Sequence, residues 1–465
     1  MILQPYYLGC LSHASYLLGD TATKTAIVVD PQRDIDQYVR DAQRLGLTIR
    51  HVVLTHFHAD FLAGHLELRE RTGATIHLGH RAQADYPFTR LHEGPVWDFP
   101  RLRVDVLETP GHTPEMVSLV LYDKAESMTE PQAVLTGDTL FNGDVGRPDL
   151  VASRGFTAET LAGMLFESLQ KLKALPDATK VLPAHGAGSS CGKSIAGLET
   201  TIGEQKAMNA AFKLEDRAAF VQAVTHDLPP PPAYFAVDAE LNRRERGVLD
   251  DTLAQDKPLP TEAALALANQ GAQLVDTRSP KTFAQTHLAG SINVGIDGNY
   301  APWAGAVLDA KRSIVLIAEP GRVRESILRL GRIGFDSVAG HLATPLEDVA
   351  QTNPDAVVST PRARPDDAVD LARKGLHVLD VRTASEHAAL RLAGSQNVPL
   401  AELSHRLGDV PRDRPVLVHC ASGYRSSIAA SLLRKAGWTQ IYDVEGGLNA
   451  LALAPDVQNL LETHA

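Results

Sequence analysis

Two kinds of chemistry are written into the spacing of a few side chains. After the apolar run His51 to Leu54 comes Thr55-His56-Phe57-His58-Ala59-Asp60-Phe61, which places two imidazoles and a carboxylate in a turn at a strand end. Pro110-Gly111-His112-Thr113-Pro114, Thr136-Gly137-Asp138-Thr139 and Pro183-Ala184-His185-Gly186 each add one potential ligand beside a glycine, again just past an apolar strand. Neutral imidazole and carboxylate suit zinc, iron or manganese, and no cysteine pair lies nearby to build a structural zinc site. Taken singly, any of these histidines reads as a hydrogen-bonded loop residue; four such elements in this order form a metal-binding pattern.

The second chemistry belongs to His419-Cys420-Ala421-Ser422-Gly423-Tyr424-Arg425-Ser426, which follows the apolar run Pro415 to Val418 and precedes Ile428, Ala429, Leu432 and Leu433 at helical spacing. A cysteine between a strand end and a helix N-terminus faces loop N–H groups and the positive end of the helix, and Arg425 adds to both. The Cys420 thiolate is therefore favoured, and a persulfide on its sulfur would be held by the same donors.

These residues need strands and helices to hold them. The 465 residues suggest about three domains at roughly 150 residues each, and 44% apolar composition supplies several cores. Tyr16 to Leu18 and Ala26 to Asp30 read as strands, and Ile35, Tyr38, Val39, Ala42 and Leu45 as a helix, which is α/β organisation. Pro229 to Pro232 read as an extended segment closing a first domain, with a boundary near 245 to 258.

Beyond it lies an internal repeat. Leu274 to Arg278 matches Leu379 to Arg382 around Asp-x-Arg, and Leu288 to Val294 matches Leu392 to Val398, both at an offset of 104 residues. Leu316 to Ser326 matches Leu417 to Ser427 at an offset of 101, setting Glu319 opposite Cys420 and Arg324 opposite Arg425. The first copy thus has no sulfur nucleophile, and Glu319 would repel an anionic donor. The expected domains are 1–245, 258–350 and 362–465, the last two joined by a Pro-bearing linker, Thr352 to Asp367. The pairs Asp276/Arg278 and Asp380/Arg382 are expected to be structural salt bridges.

The net charge of −11 argues against a nucleic-acid or anionic-lipid surface. No apolar run approaches the ~18 residues of a membrane span, and Met1 to Asp20 lacks the pattern of a signal peptide. The three cysteines, Cys10, Cys191 and Cys420, read as free thiols in a reducing, cytoplasmic setting.

The motifs resemble known families. His56-x-His58-x-Asp60, Gly111-His112-Thr113-Pro114, Thr136-Gly137-Asp138 and Gly146-Arg147-Pro148-Asp149-Leu150 resemble the metallo-β-lactamase fold and, within it, persulfide dioxygenases, relatives of type II glyoxalases. Cys-x-x-Gly-x-Arg, with Asp380-x-Arg382 and Gly446-Gly447, resembles the rhodanese active loop; a phosphatase loop would set Cys and Arg one residue further apart. The whole chain is similar to bacterial fusions of a persulfide dioxygenase with an inactive and an active rhodanese. The implied fold is an α/β sandwich of αββα type followed by two rhodanese-like domains with parallel sheets.

The resemblance also implies roles. In binuclear hydrolases of this fold a second metal takes the Asp of the first motif, the His after it and the late His. Phe61 stands at the second of these places and has no lone pair to give. In the dioxygenase-like members one iron is held by residues that map onto His56, His112 and Asp138. Two imidazoles and one carboxylate leave about three positions open for water, dioxygen and a sulfur substrate, and zinc has no redox change to offer. One Fe(II) per chain is expected, with His58, Asp60 and His185 beside it orienting ligands, water or substrate.

Arg147 is expected to hold the site loop through a buried ion pair, and Gly186 to Lys193 to border the substrate, with Cys191 readable as a packed or a reactive thiol. The implied activity is oxidation of a low-molecular-weight persulfide, glutathione persulfide by default, by O2 and water to sulfite and thiol, in sulfide detoxification. Cys420 and Arg425, with the loop Ala421, Ser422, Gly423, Tyr424 and Ser426, then move sulfane sulfur among persulfide, sulfite and thiosulfate. A homo-oligomer is the expected assembly. The competing readings are a zinc thioester hydrolase of glyoxalase II type with a sulfurtransferase appendage, and a non-catalytic sulfur carrier.

Overall fold

Burial at every second residue builds the strands of the N-terminal region: in Leu102–Glu108, Leu102, Val104 and Val106 are buried while the residues between them are partly exposed. The computed structural model describes residues 1–150, 155–193, 195–226, 228, 231–232, 234–454, 457 and 460–463. They form two units, Met1–Asp251 with Gly331–Gly334, and Thr252–Leu330 with Phe335–Ala465.

The first unit holds two six-stranded sheets. One runs Ile2–Leu8, His13–Asp20, Thr25–Val29, Thr48–Val53, Thr75–Gly79 and Thr89–Leu91; the other runs Thr200–Thr201, Lys180–Pro183, Ala133–Gly137, Val117–Asp123, Leu102–Glu108 and Gly94–Asp98. Their inner faces share one core, with Tyr16, Leu18, Ile27 and Val53 from the first sheet and Val104, Val106, Leu119 and Leu135 from the second. Helices Asp36–Arg44 and His65–Thr72 lie against the first sheet.

Helix Ala158–Lys173 packs in the outer core of the second sheet. Leu161, Leu165, Leu169 and Leu172 follow one helical face and are buried, each contributing about 1.5–3 kcal/mol. Thr157 caps the helix by accepting a hydrogen bond from the Thr160 N–H. This is the expected αββα sandwich, and it brings together the ends of Thr48–Val53, Leu102–Glu108, Ala133–Gly137 and Lys180–Pro183, just ahead of the four motifs.

The second unit holds two five-stranded parallel sheets of the same order. Gln273–Asp276 sits between Ile292–Asn293 and Ile314–Ile317 in one, and His377–Asp380 between Gln396–Asn397 and Val416–His419 in the other. Arg278 grips Asp276 and Arg382 grips Asp380, each pair buried and closing to 2.6 Å.

Two expectations need amendment. Strand register pairs Asp276 with Ile317 and Asp380 with His419, so the residue following the strand is Ala318 in one repeat and Cys420 in the other. The loop before helix Val323–Gly331 is one residue longer than that before Tyr424–Lys435, and Glu319 faces Cys420 only when counted back from the helix. The stretch Thr352 to Asp367 is not a free linker: Val357–Val358 pairs with His287–Leu288, Arg362–Ala363 adds an edge to the second sheet, and helix Pro365–Arg373 has already begun. Of the four prolines, Pro229 and Pro230 lie outside the described residues, and Pro231 and Pro232 belong to no regular element. Among the described residues, no helix is long and apolar enough to cross a membrane.

In Asp380→Ala the Arg382 guanidinium would stay buried without its partner, which costs about 3–5 kcal/mol. Hydrogen-exchange protection of strand Val416–His419 in the intact chain is expected to fall by that amount; unchanged protection would show that the pair does not hold the sheet.

Candidate functional site

His56, His112 and Asp138 converge, each almost wholly buried. His56 Nε2 lies 3.7 Å and His112 Nε2 3.5 Å from Asp138 Oδ2. That is close to the spacing of donors around one ion with bonds of about 2.0–2.2 Å. His56 Nε2 and Asp138 Oδ2 have no hydrogen-bond partner, a costly state for buried polar atoms that a shared cation relieves.

The surrounding bonds fix which nitrogen is free. Thr55 Oγ1 donates to Asp30 Oδ2 at 2.8 Å and therefore accepts from His56 Nδ1 at 3.0 Å, leaving the His56 Nε2 lone pair toward Asp138. His112 Nδ1 donates to the Arg147 carbonyl at 2.8 Å, with the same result at its Nε2. Burial, reinforced by His58 at His56, lowers both imidazole pKa values, so both are neutral ligands near pH 7. Burial opposes ionisation of Asp138, but the charge and hydrogen bond of His185 outweigh it and hold its pKa well below the carboxylate range.

The other expected residues are engaged with one another. His185 donates from Nδ1 to Asp138 Oδ1 at 2.8 Å, and its Nε2 lies 2.9 Å from Asp60 Oδ2. Burial disfavours its charge, yet Asp138 and Asp60 together raise its pKa. His58 Nε2 sits 3.0 Å from Asp30 Oδ1. Phe61 fills the space between, its ring 3.9 Å from that of His13 and 4.4 Å from that of His58. Cys191 is buried beside Asp60 and His185, and burial followed by the Asp60 charge pushes its thiol pKa up.

Arg147 forms two 2.7 Å bonds to Asp149, the expected ion pair, and its backbone N–H donates to the Cys191 carbonyl. The glycine before it is forced: a methyl at Gly146 would lie 1.9 Å from the Asp138 carbonyl oxygen.

In the second unit the Gly423 N–H points at Cys420 Sγ from 3.1 Å, and Ser426 Oγ lies 3.7 Å from it. The Cys420 carbonyl accepts from Leu448 N and the Ala421 carbonyl from Asn449 N; a methyl at Gly447 would come within 2.4 Å of the former oxygen. Arg425 makes a contact that its spacing did not show. Its guanidinium forms two 2.7 Å bonds to Glu386, whose carboxyl pKa it holds down at about 2, while its charge also interacts with Cys420.

Comparison with known proteins decides the family. The metallo-beta-lactamase superfamily matches residues 8–185, and the rhodanese-like domain matches residues 259–340 and 365–454. A metallo-beta-lactamase crystal structure from Staphylococcus aureus superimposes with a TM-score of 0.65 at 31% identity, covering 73% of this chain and 98% of its own. The chain belongs to the metallo-β-lactamase superfamily. Its metallo-β-lactamase domain is followed by two rhodanese-like domains, the architecture of a persulfide dioxygenase–rhodanese fusion. The persulfide dioxygenase ETHE1, mitochondrial, of Bos taurus is 32% identical over 49% of this chain and 82% of its own. A hydroxyacylglutathione hydrolase of Rhodopseudomonas palustris is 32% identical over 41% and 69%.

Sequence reasoning missed several supports of the metallo-β-lactamase site. Asp30 serves both Thr55 and His58 from one carboxylate. His13 lies buried on Phe61 with neither ring nitrogen hydrogen-bonded. Asn242 donates to the carbonyls of His58 and Phe61 at 2.8 Å and accepts from Ala63 N at 2.9 Å, clamping the first motif from far along the chain. Asp30 closes a strand and could have been suspected; a lone Asn after a short helix gives no signal.

Asn242→Ala would strand three buried backbone groups, a loss on the order of 3 kcal/mol or more. Chemical unfolding of the metal-free protein is expected to show that loss, together with reduced metal retention. Unchanged stability would mean that the motif turn holds its shape without the clamp.

Proposed function

We propose that the protein is a persulfide dioxygenase and sulfurtransferase. In this reading residues 1–245 hold one Fe(II) through His56, His112 and Asp138, while residues 362–465 carry sulfur on Cys420. The single observation that supports it is the division within Asp138: one carboxylate oxygen is taken by His185, and the other is left with two imidazole nitrogens whose tautomers are already set. Asp60, His185 and Cys191 also converge beside it, and what weighs against a second ion there is Phe61, a ring with no lone pair at a place where binuclear hydrolases of this fold carry a ligand.

Bound there, iron would supply the redox chemistry that joins dioxygen to sulfur, which zinc does not offer. The chain's own residues perform the rest. Asp60 and His185 present a carboxylate and an imidazole beside the site, able to orient water and hold a proton at His185 Nε2. The Arg147–Asp149 pair keeps the bordering loop in place, and burial of the whole cluster keeps bulk water away. The reaction takes persulfide, O2 and water to thiol and sulfite with release of protons, glutathione persulfide being the default substrate. Cys420 then exchanges sulfane sulfur with sulfite or thiosulfate, the loop N–H of Gly423 supporting negative charge on sulfur. The setting proposed is the cytoplasm, and the role sulfide detoxification. The middle rhodanese-like domain, residues 258–350, lacks a cysteine and transfers no sulfur.

The relatives named hydroxyacylglutathione hydrolase support a second reading, thioester hydrolysis, and Phe61 counts against it.

The test is oxygen uptake with glutathione persulfide. Changes around a metal ligand cost about 10–100-fold, so removal of a ligand in His112→Ala is expected to cost about 100-fold or more, whereas Cys420→Ser should keep its oxygen uptake. Loss of uptake in Cys420→Ser, or hydrolysis of a glutathione thioester without oxygen consumption, would contradict the assignment.

A further inference from the structure

The two rhodanese-like domains are bound to each other through the helix that follows Cys420. Ser427 Oγ donates to Asn293 Oδ1 at 2.7 Å, and the Asn293 N–H donates to Ser431 Oγ at 3.1 Å, both bonds buried. The Tyr424 hydroxyl donates to the Gly295 carbonyl at 2.7 Å, which seats its ring on Gly298, where a methyl would come within 2.3 Å of the ring. Beside this contact lies a cavity of about 570 Å³, within the usual range for small-molecule sites. Ser422, Tyr424 and Arg425 of the sulfur loop line one side, and Asp297, Asn299 and Trp303 of the cysteine-free domain line the other.

Two charged side chains line this cavity, Arg425 and Asp297, and they are paired unequally. Arg425 is already matched by the two bonds to Glu386, so the lining offers little to an oxyanion. Asp297 is 79% exposed and, among the described residues, bonds to Arg322 at 3.0 Å, a surface pair worth about 0–1 kcal/mol that a ligand ammonium can displace. Trp303 adds an aromatic face, the other protein group that attracts an ammonium.

We propose that this cavity is the acceptor subsite of Cys420 and that Asp297 and Trp303, from the domain without a cysteine, select thiols carrying a free ammonium group. The inference rests on the sulfur-transfer reading of Cys420. In the first half-reaction the Cys420 thiolate attacks the sulfane sulfur of thiosulfate, the S–S bond breaks, and its electron pair leaves on sulfite. In the second the acceptor thiolate attacks the outer sulfur of the Cys420 persulfide. The new S–S bond forms on the acceptor, and the pair from the broken bond returns to Cys420 Sγ. Asp297 and Trp303 act in that second step by holding the acceptor's body while its sulfur reaches the loop.

The experiment uses the full chain with thiosulfate as donor and compares two acceptors, cysteine and N-acetylcysteine, which differ at the amino group. The ratio of their kcat/KM values is expected to fall about threefold to tenfold in Asp297→Asn and in Trp303→Leu relative to wild type, intrinsic thiol reactivity cancelling in that comparison. Mass-spectrometric loading of Cys420 with one sulfur confirms that each variant is folded. A ratio that stays at the wild-type value in both loaded variants overturns the proposal. Wild-type protein that transfers no sulfur even to cyanide, an acceptor that needs no such contact, overturns the sulfur-transfer reading and the proposal with it.

Discussion

The Asp138 carboxylate, buried and divided between two tasks, is the constraint on which the metallo-β-lactamase site depends. One oxygen is committed to His185; the other faces His56 and His112 with no proton donor to satisfy it. In a region this dry, charge interactions are far stronger than in water, so an ionised carboxylate facing two neutral imidazoles calls for a cation. The rest of the site maintains that division. Asp30 acts through Thr55 to set the His56 tautomer, the Arg147 carbonyl sets that of His112, and Asp60 steadies the far side of His185. Phe61, with no lone pair to give, stands among His58, Asp60 and His185, the neighbouring groups that a second ion would need.

The sulfur loop is governed by a different physics. The surroundings of Cys420 are a backbone N–H, the Ser426 hydroxyl and a helix N-terminus; the buried Asp443 carboxyl stands behind that hydroxyl, and Arg425 is paired to Glu386. The two rhodanese-like domains share the buried Asp-x-Arg anchor and the same strand order, yet only one has sulfur at the strand end. The anchor belongs to the fold and the cysteine to the chemistry, so one can persist without the other.

Much of this was legible in sequence because it follows from periodicity and local spacing. Short apolar runs marked the strands, glycines marked the turns that carry His112, Asp138 and His185, and the offset of 104 exposed the tandem repeat. What was hidden depends on contacts between distant segments. Asn242 and Asp30 act on the first motif through backbone and hydroxyl groups that no pattern announces. Glu386 reads as a helix-capping residue, which it also is, and its grip on Arg425 emerges only when the loop folds over it. The extra residue after Ile317 was invisible because the helix that follows restores the spacing, and the segment Thr352 to Asp367 read as a linker because two-residue strands carry too little pattern to detect.

The central claim is that one redox-active ion sits on one side of Asp138. It is tested most directly by metal analysis of anaerobically purified active protein combined with electron paramagnetic resonance of its nitric oxide adduct. About one iron per chain is expected, with the signal of a single high-spin iron–nitrosyl centre that is lost in Asp138→Ala. Two zinc ions per chain in fully active protein, with no such signal, would contradict it.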